Sequence, residues 1–157
     1  DEVHESDVDL GAVAEEAVAY VAPAAAKKGI RLATESADAV NVMSDVAKIR
    51  QILLNLISNA VKFTESGGVT VRVEREDAHA IVSVIDTGPG IPEPDLARIW
   101  EPFTQLDPTL TRRVGGTGLG LPVSAALAKL LGGSLTVASV PGEGCNFTLR
   151  LPLVRET

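Results

Sequence analysis

The sequence predicts an α+β fold, a two-layer sandwich in which a mixed, mostly antiparallel sheet packs against about three helices. Apolar residues recur at helical spacing in three segments, and short runs with alternating or nearly continuous apolar residues lie between and after them, two pairs of runs being joined by polar turns. The 157-residue chain is 45% hydrophobic and 22% charged, which suits one globular unit and excludes a disordered tail or a collagen-like repeat. Folding at this length buries roughly 68–70% of the unfolded chain's surface, so a core forms without disulfide or metal staples.

Other function classes are excluded by charge and composition. The net charge of −7, from 14 Lys plus Arg against 21 Asp plus Glu, argues against a main role in binding nucleic-acid phosphates or contacting an anionic membrane, while leaving room for one local anion site. Cys145 is the single cysteine and closes no internal disulfide, and no Cys/His cluster has ligand spacing, which fits a reducing, cytoplasmic setting. The longest apolar stretch, residues 17–26, is about half what a bilayer span needs. The acidic start (Asp1, Glu2, Glu5) is no signal peptide.

Residues 1–9 are acidic and without period, as in a linker. Leu10, Val13, Ala14, Ala17, Val18 and Val21 then mark a helix after an Asp9 cap; Pro23 is expected to kink or end it, and Lys27-Lys28-Gly29 to close it. A short strand is expected over 30–34. The second helix has Ser44 or Asp45 as cap, Ile49, Ile52, Leu53, Leu56, Ile57 and Ala60 as its apolar stripe, and Ser66-Gly67-Gly68 as its stop. Val69, Val71, Val73 and Ile81, Val82, Val84, Ile85 predict an antiparallel hairpin around a polar turn over 74–79. From 86 to 120 the chain is rich in Gly, Pro, Thr and Asp, with one brief helical patch over 94–100, a long loop of the functional kind. A helix over 119–131, with Pro122 tolerated in its first turn, and strands over 134–140 and 146–151 complete the chain.

Three patterns carry chemistry. Asn55, Asn59 and Lys62 are spaced four and three apart, so they share one helix face beside the apolar stripe. Carboxamide oxygens are hard neutral ligands for Mg²⁺ and a lysine one turn on meets phosphate; the alternative is a solvated face. Asp86-Thr87-Gly88-Pro89-Gly90-Ile91 follows directly on a buried strand. A half-buried carboxylate there pairs with an exocyclic amine such as adenine's, with glycines that let a flat ring approach; the alternative is an Asx-turn. Gly115-Gly116-Thr117-Gly118-Leu119-Gly120-Leu121 opens directly into a helix, which makes an anion site of free N–H groups and helix dipole, with Arg112 and Arg113 just upstream; the alternative is a glycine hinge without ligand. It is neither a P-loop nor a dinucleotide fingerprint.

In this order, with Trp100-Glu101-Pro102-Phe103 between the second and third, the patterns give a specific match. The chain resembles the ATP-binding catalytic domain of bacterial sensor histidine kinases, in the Bergerat-fold superfamily that includes gyrase-type topoisomerases, heat-shock chaperone ATPases and mismatch-repair ATPases. The resemblance runs from about residue 8 to 153, with an N box over 51–64, a first G box over 86–91, an F box over 100–103 and a second G box over 116–121. It implies ATP and Mg²⁺ as ligands, with Asn59 coordinating the metal, Asn55 helping at metal and phosphates, and Lys62 contacting phosphate. Asp86 would read the adenine amino group, with Gly88, Gly90 and Ile91 lining the base pocket. Phe103 would anchor an ATP lid over about 104–117, Gly116, Thr117, Gly118, Leu119, Gly120 and Leu121 would close over the phosphates, and Arg112 or Arg113 would be the lid arginine. Trp100, Pro122 and Cys145 depart from the residues the family more often has at those places.

The resemblance also implies a division into a linker, 1–9, from an upstream helical dimerisation domain, the catalytic domain, 10–153, and a tail, 154–157. Relatives that hydrolyse ATP carry a Glu base one turn before the metal asparagine, where this sequence has Asn55, and an amide cannot take the proton from water. A histidine acceptor is itself a competent neutral nucleophile. The expected activity is therefore transfer of the γ-phosphoryl group to a histidine on the dimerisation domain, with a response regulator as an indirect partner. Neither His4 nor His79 sits in the acceptor box of the family. A degenerate docking module and an anti-sigma-type serine kinase are the alternatives.

Overall fold

The computed structural model describes residues 2–101 and 120–154. Among them the elements run β1 (Ser6–Asp9), α1 (Leu10–Lys28), β2 (Arg31–Ser36), β3 (Asn41–Ser44), α2 (Val46–Phe63), β4 (Gly68–Glu76), β5 (His79–Asp86), α3 (Gly120–Leu130), β6 (Ser134–Val140) and β7 (Gly144–Pro152). Two 3-10 turns, Glu93–Asp95 and Arg98–Trp100, follow β5 where the brief helical patch was expected. A five-stranded sheet has the order β2-β4-β5-β7-β6. Its β2–β4 pair is parallel and its other pairs are antiparallel, and β1 and β3 form a separate antiparallel ribbon.

The period-2 pattern decides which sheet face is covered. Val69, Val71, Val73, Val82, Val84, Phe147, Leu149 and Leu151 are buried, while their neighbours Thr70, Arg72, Thr148 and Arg150 are only partly so. The helices pack on the buried face, with α2 between α1 and α3. The predicted stripe of α2, from Ile49 to Ala60, is buried throughout. No helix among the described residues is long and apolar enough to cross a membrane.

Several boundaries differ from expectation, each for a local reason. Pro23 does not end α1, and Pro23 and Ala19, whose carbonyl loses its partner, both lie on the exposed face. The helix closes at Gly29, in the left-handed conformation, and Asp9 caps its start through Ala12 N–H. Within 1–9, Ser6–Asp9 is a strand, and it pairs with β3, which four residues are too few to signal. Val8 and Val42 face each other across this ribbon and are both buried. At the other end of the chain, Val154 forms a parallel bridge with Met43, and Met43 N–H donates to Leu153 O at 2.8 Å. The β4–β5 hairpin is longer than its apolar pattern, since Glu76 pairs with His79 and only Asp77 and Ala78 remain in the turn. β2 likewise extends to Ser36, which its parallel register places opposite Val73.

Asp45, not Ser44, caps α2, and it also holds the incoming chain. Its Oδ1 accepts from Ala47 and Lys48 N–H at 3.1 and 3.2 Å, and its Oδ2 from His4 N–H at 3.0 Å and Lys48 Nζ at 3.1 Å. Lys48 Nζ also donates to Glu2 O at 2.9 Å. Burial alone would raise the carboxyl's pKa, but the donors from His4 and Lys48 and the lysine charge outweigh it and hold Asp45 below the usual carboxylate range. Its stabilising contribution is therefore complete above the ordinary carboxylate pKa and disappears as pH falls through the lowered folded value. Replacing Asp45→Ala should lower stability by about 2 kcal/mol at neutral pH. Denaturant titrations should show the loss shrinking as pH falls through that interval; a pH-independent loss would contradict the role of the charge.

Candidate functional site

Asp86 ends β5 opposite Val69, and is only 4% exposed. Its Oδ1 accepts from Gly88 N–H at 2.9 Å, which is the Asx-turn expected as one alternative, and from Cys145 N–H at 3.2 Å. Its Oδ2 is buried without a hydrogen-bond partner among the described residues. The two sequence readings of this position are thus compatible: one oxygen builds the turn and the other is left to accept. Burial pushes the carboxyl's pKa up, against the opposing effect of the two N–H donors.

The approach of β7 to Asp86 depends on a glycine. A Cβ on Gly144 would lie 1.9 Å from Asp86 O, and Gly144 has φ +130°. Across the turn, Thr87 Oγ1 donates to Ser66 O at 2.9 Å and accepts from Gly68 N–H at 3.0 Å, tying the loop to the start of β4.

Asn55 and Asn59 are half-buried and Lys62 is exposed on the last turn of α2. Asn55 Nδ2 donates to Ser124 Oγ at 3.0 Å and lies 3.4 Å from Gly120 O, so it joins α2 to the first turn of α3. Because a main-chain carbonyl only accepts, these contacts fix the amide's orientation and leave its oxygen to accept elsewhere. Asn59 Nδ2 lies 3.7 Å from where a Cβ on Gly120 would stand. Asn55 and Asn59 therefore both stand near Gly120, the last glycine of the second motif, and Asn55 is engaged by α3 instead of by solvent.

The end of α2 is fixed by a residue whose role the sequence analysis missed. Lys28 Nζ, from the last turn of α1, donates to Val61 O at 2.8 Å and Lys62 O at 2.9 Å, capping two free carbonyls. Its only sequence signal is a lysine near a helix end, which reads as closure of its own helix.

Gly88, Gly90 and Ile91 are buried beside Asp86, and Leu121 is buried at the start of α3, with Gly120 half-buried. Phe103, Arg112, Arg113, Gly116, Thr117, Gly118, Leu119 and the expected lid over 104–117 lie outside the described residues. Trp100 packs edge-on against Phe147, with ring centroids 6.0 Å apart. Cys145 is buried, and burial together with the nearby Asp86 charge pushes its thiol's pKa up, against the hydrogen bond to Ser139. Among the described residues no group of three or more His, Cys, Asp or Glu could hold a metal ion. Oxygen donors at this site are the carboxamides, a set that suits a hard cation held mainly by phosphate and water. His4 lies at the N-terminus and His79 at the end of β5 opposite Asp86, with Arg150 Nη2 3.4 Å from its Nδ1.

Residues 44–155 match the model for histidine kinase-, DNA gyrase B- and HSP90-like ATPases, and the chain belongs to this family. Its sequence is 49% identical over 110 residues to the circadian input-output histidine kinase CikA of Synechococcus elongatus, covering 69% of this chain and 15% of that protein. The structure of full-length ShkA in complex with AMPPNP superposes with a TM-score of 0.89 at 33% identity, over 100% of this chain and 33% of that one. The nucleotide-free catalytic domain of the histidine kinase ThkA gives 0.85 at 26% identity, over 97% of both chains. Sequence and fold together place the chain with the ATP-binding catalytic domains of sensor histidine kinases.

An Asn55→Asp change keeps the shape but turns the donor facing Gly120 O into an acceptor. It should cost about 1–3 kcal/mol and raise amide exchange in α3 from Ser124 onward, where the helical bonds begin. Unchanged protection of residues 124–127 would show that this contact does not hold the helix.

Proposed function

We propose that this domain binds Mg·ATP between α2 and the start of α3 and transfers the γ-phosphoryl group to a histidine on a separate helical dimerisation domain. The observation that carries the reading is the split carboxylate of Asp86: Oδ1 is committed to two main-chain donors, and Oδ2 is a buried acceptor of the kind that takes an exocyclic amine. Guanine, with a carbonyl oxygen at the corresponding ring position, would set acceptor against acceptor there.

Asn59 and the oxygen of Asn55 would hold Mg²⁺ together with the phosphates, and Lys62 would contact a phosphate from the last turn of α2. Arg112 or Arg113 and the glycines from Gly116 to Gly120 would close over the triphosphate. The bound Mg²⁺ would neutralise charge on the phosphate oxygens. In the transfer, a bond forms between an imidazole nitrogen and the γ-phosphorus as the bond to the β–γ bridging oxygen breaks. ADP leaves, and the imidazole, bonded to phosphorus through one ring nitrogen, releases its single N–H proton from the other. Catalysis by this domain is mostly positioning, because Asn55 supplies no base to activate water.

Calorimetric titration with a non-hydrolysable ATP analogue and Mg²⁺ should give saturable binding that Asp86→Ala abolishes. Affinity should fall as pH is lowered through the raised pKa of Asp86, because the proton goes to Oδ2 and turns the acceptor into a donor. No binding by the unmodified domain would favour a docking module. Incubation with ATP and the helical domain of a sensor kinase that carries the acceptor box should yield an acid-labile, base-stable phosphate. An acid-stable product would instead indicate a serine kinase.

A further inference from the structure

We propose that Ser139, on β6, is a positioning residue that holds the base-recognition loop in its binding shape without touching the nucleotide. The inference rests on the reading that residues 86–91 receive adenine. Ser139 lies 48 residues along the chain from the nearest loop residue it contacts, and outside every motif that identifies the site.

The hydroxyl of Ser139 is fully used. It accepts from Ile91 N–H at 2.7 Å, donates to Gly144 O at 3.3 Å, and lies 3.5 Å from the Cys145 thiol that donates to it. A hydroxyl has one donor and two acceptor positions, so no capacity remains for a ligand. Its three partners are the two sides of the pocket: Ile91 ends the loop that begins at Asp86, and Gly144 and Cys145 are the residues of β7 that meet Asp86.

Removing the hydroxyl therefore acts on Asp86 from both directions. Cys145 N–H is one of the two donors that orient the Asp86 carboxylate. At the other end, Ile91 is buried, and its N–H would lose its acceptor. The loop also meets the β6–β7 hairpin through Gly142 N–H to Pro89 O at 2.8 Å and the close approach of Gly90 to Val140. A Cβ on Gly90, which has φ +76°, would lie 2.6 Å from Val140 O, so the loop rests directly on the end of β6. Ser139 is the side chain that fixes this docking, and through it the direction of the free oxygen of Asp86.

A role confined to the base pocket separates from general destabilisation by the part of the ligand it affects. Binding of the ATP analogue with Mg²⁺ is measured for the full chain by calorimetry, with adenosine and inorganic tripolyphosphate measured separately by competition. Ser139→Ala should weaken the analogue and adenosine by the same factor, about five- to tenfold, and leave tripolyphosphate unchanged. Ser139→Thr should restore both, and Ser139→Cys, which keeps the volume but weakens the acceptor, should fall between them and remains usable if the alanine variant does not fold. Unchanged adenosine binding in the alanine or cysteine variant, or a parallel loss for tripolyphosphate, overturns the proposal. A wild-type chain that takes up no analogue overturns the nucleotide reading itself, whereas binding lost in Asp86→Ala but intact in Ser139→Ala overturns only the role of Ser139.

Discussion

A buried carboxylate with one free oxygen is an unfavourable object, and the centre of this molecule is arranged around keeping one in place. Asp86 sits where β5 ends, where the chain turns through Gly88, and where β7 begins at a glycine that admits the Asp86 carbonyl. Two main-chain donors hold one oxygen and keep the desolvated group from turning towards the core. The pairing of β5 with β7 is thus more than a sheet contact, because it brings Cys145 N–H to the carboxylate. The strand order makes this possible, since β7, last in the chain, lies between β5 and β6.

The α2 side of the site has a different construction, in which a single helix is held at both ends. Asp45 caps the start of α2 and ties residues 2–4 to it, while Lys28 caps its end. Between these points the buried stripe fixes the rotation of α2 about its axis, which sets where Asn55, Asn59 and Lys62 stand. Asn55 then transmits that placement to α3. Helix position is controlled here by ionic groups at the ends and apolar packing along the middle, so neither alone would define the face that the three polar residues share.

What was legible in the sequence and what was not divides along physical lines. The helix α2 and the strands β4, β5 and β7 are long enough for their periods to show, and the helix-face pattern and the two glycine motifs each lie in a continuous stretch. The ribbon of β1 and β3 was not legible, because each strand contributes only one buried valine to any pattern. Lys28 and Ser139 were not legible for a stronger reason. Their partners lie 33 and 48 residues away, so their roles exist only after the chain has folded and leave no local signature. Pro23 misled in the opposite sense, since its penalty depends on whether the freed carbonyl faces solvent, which spacing alone does not reveal. The residues of the second glycine motif upstream of Gly120 lie outside the described part of the chain.

The short strand β3 has a mechanical consequence. One side of it pairs with β1 and the other receives Leu153 and Val154, so both ends of the described chain are fastened to the same four residues. A force applied through the two ends would be borne first by these terminal contacts, the clasp together with the bonds that tie residues 2–4 to α2 and Leu153 to Ala78, before it reached the buried carboxylate. Within a longer polypeptide the clasp would act as a strain relief, separating the mechanics of neighbouring segments from the geometry of the site.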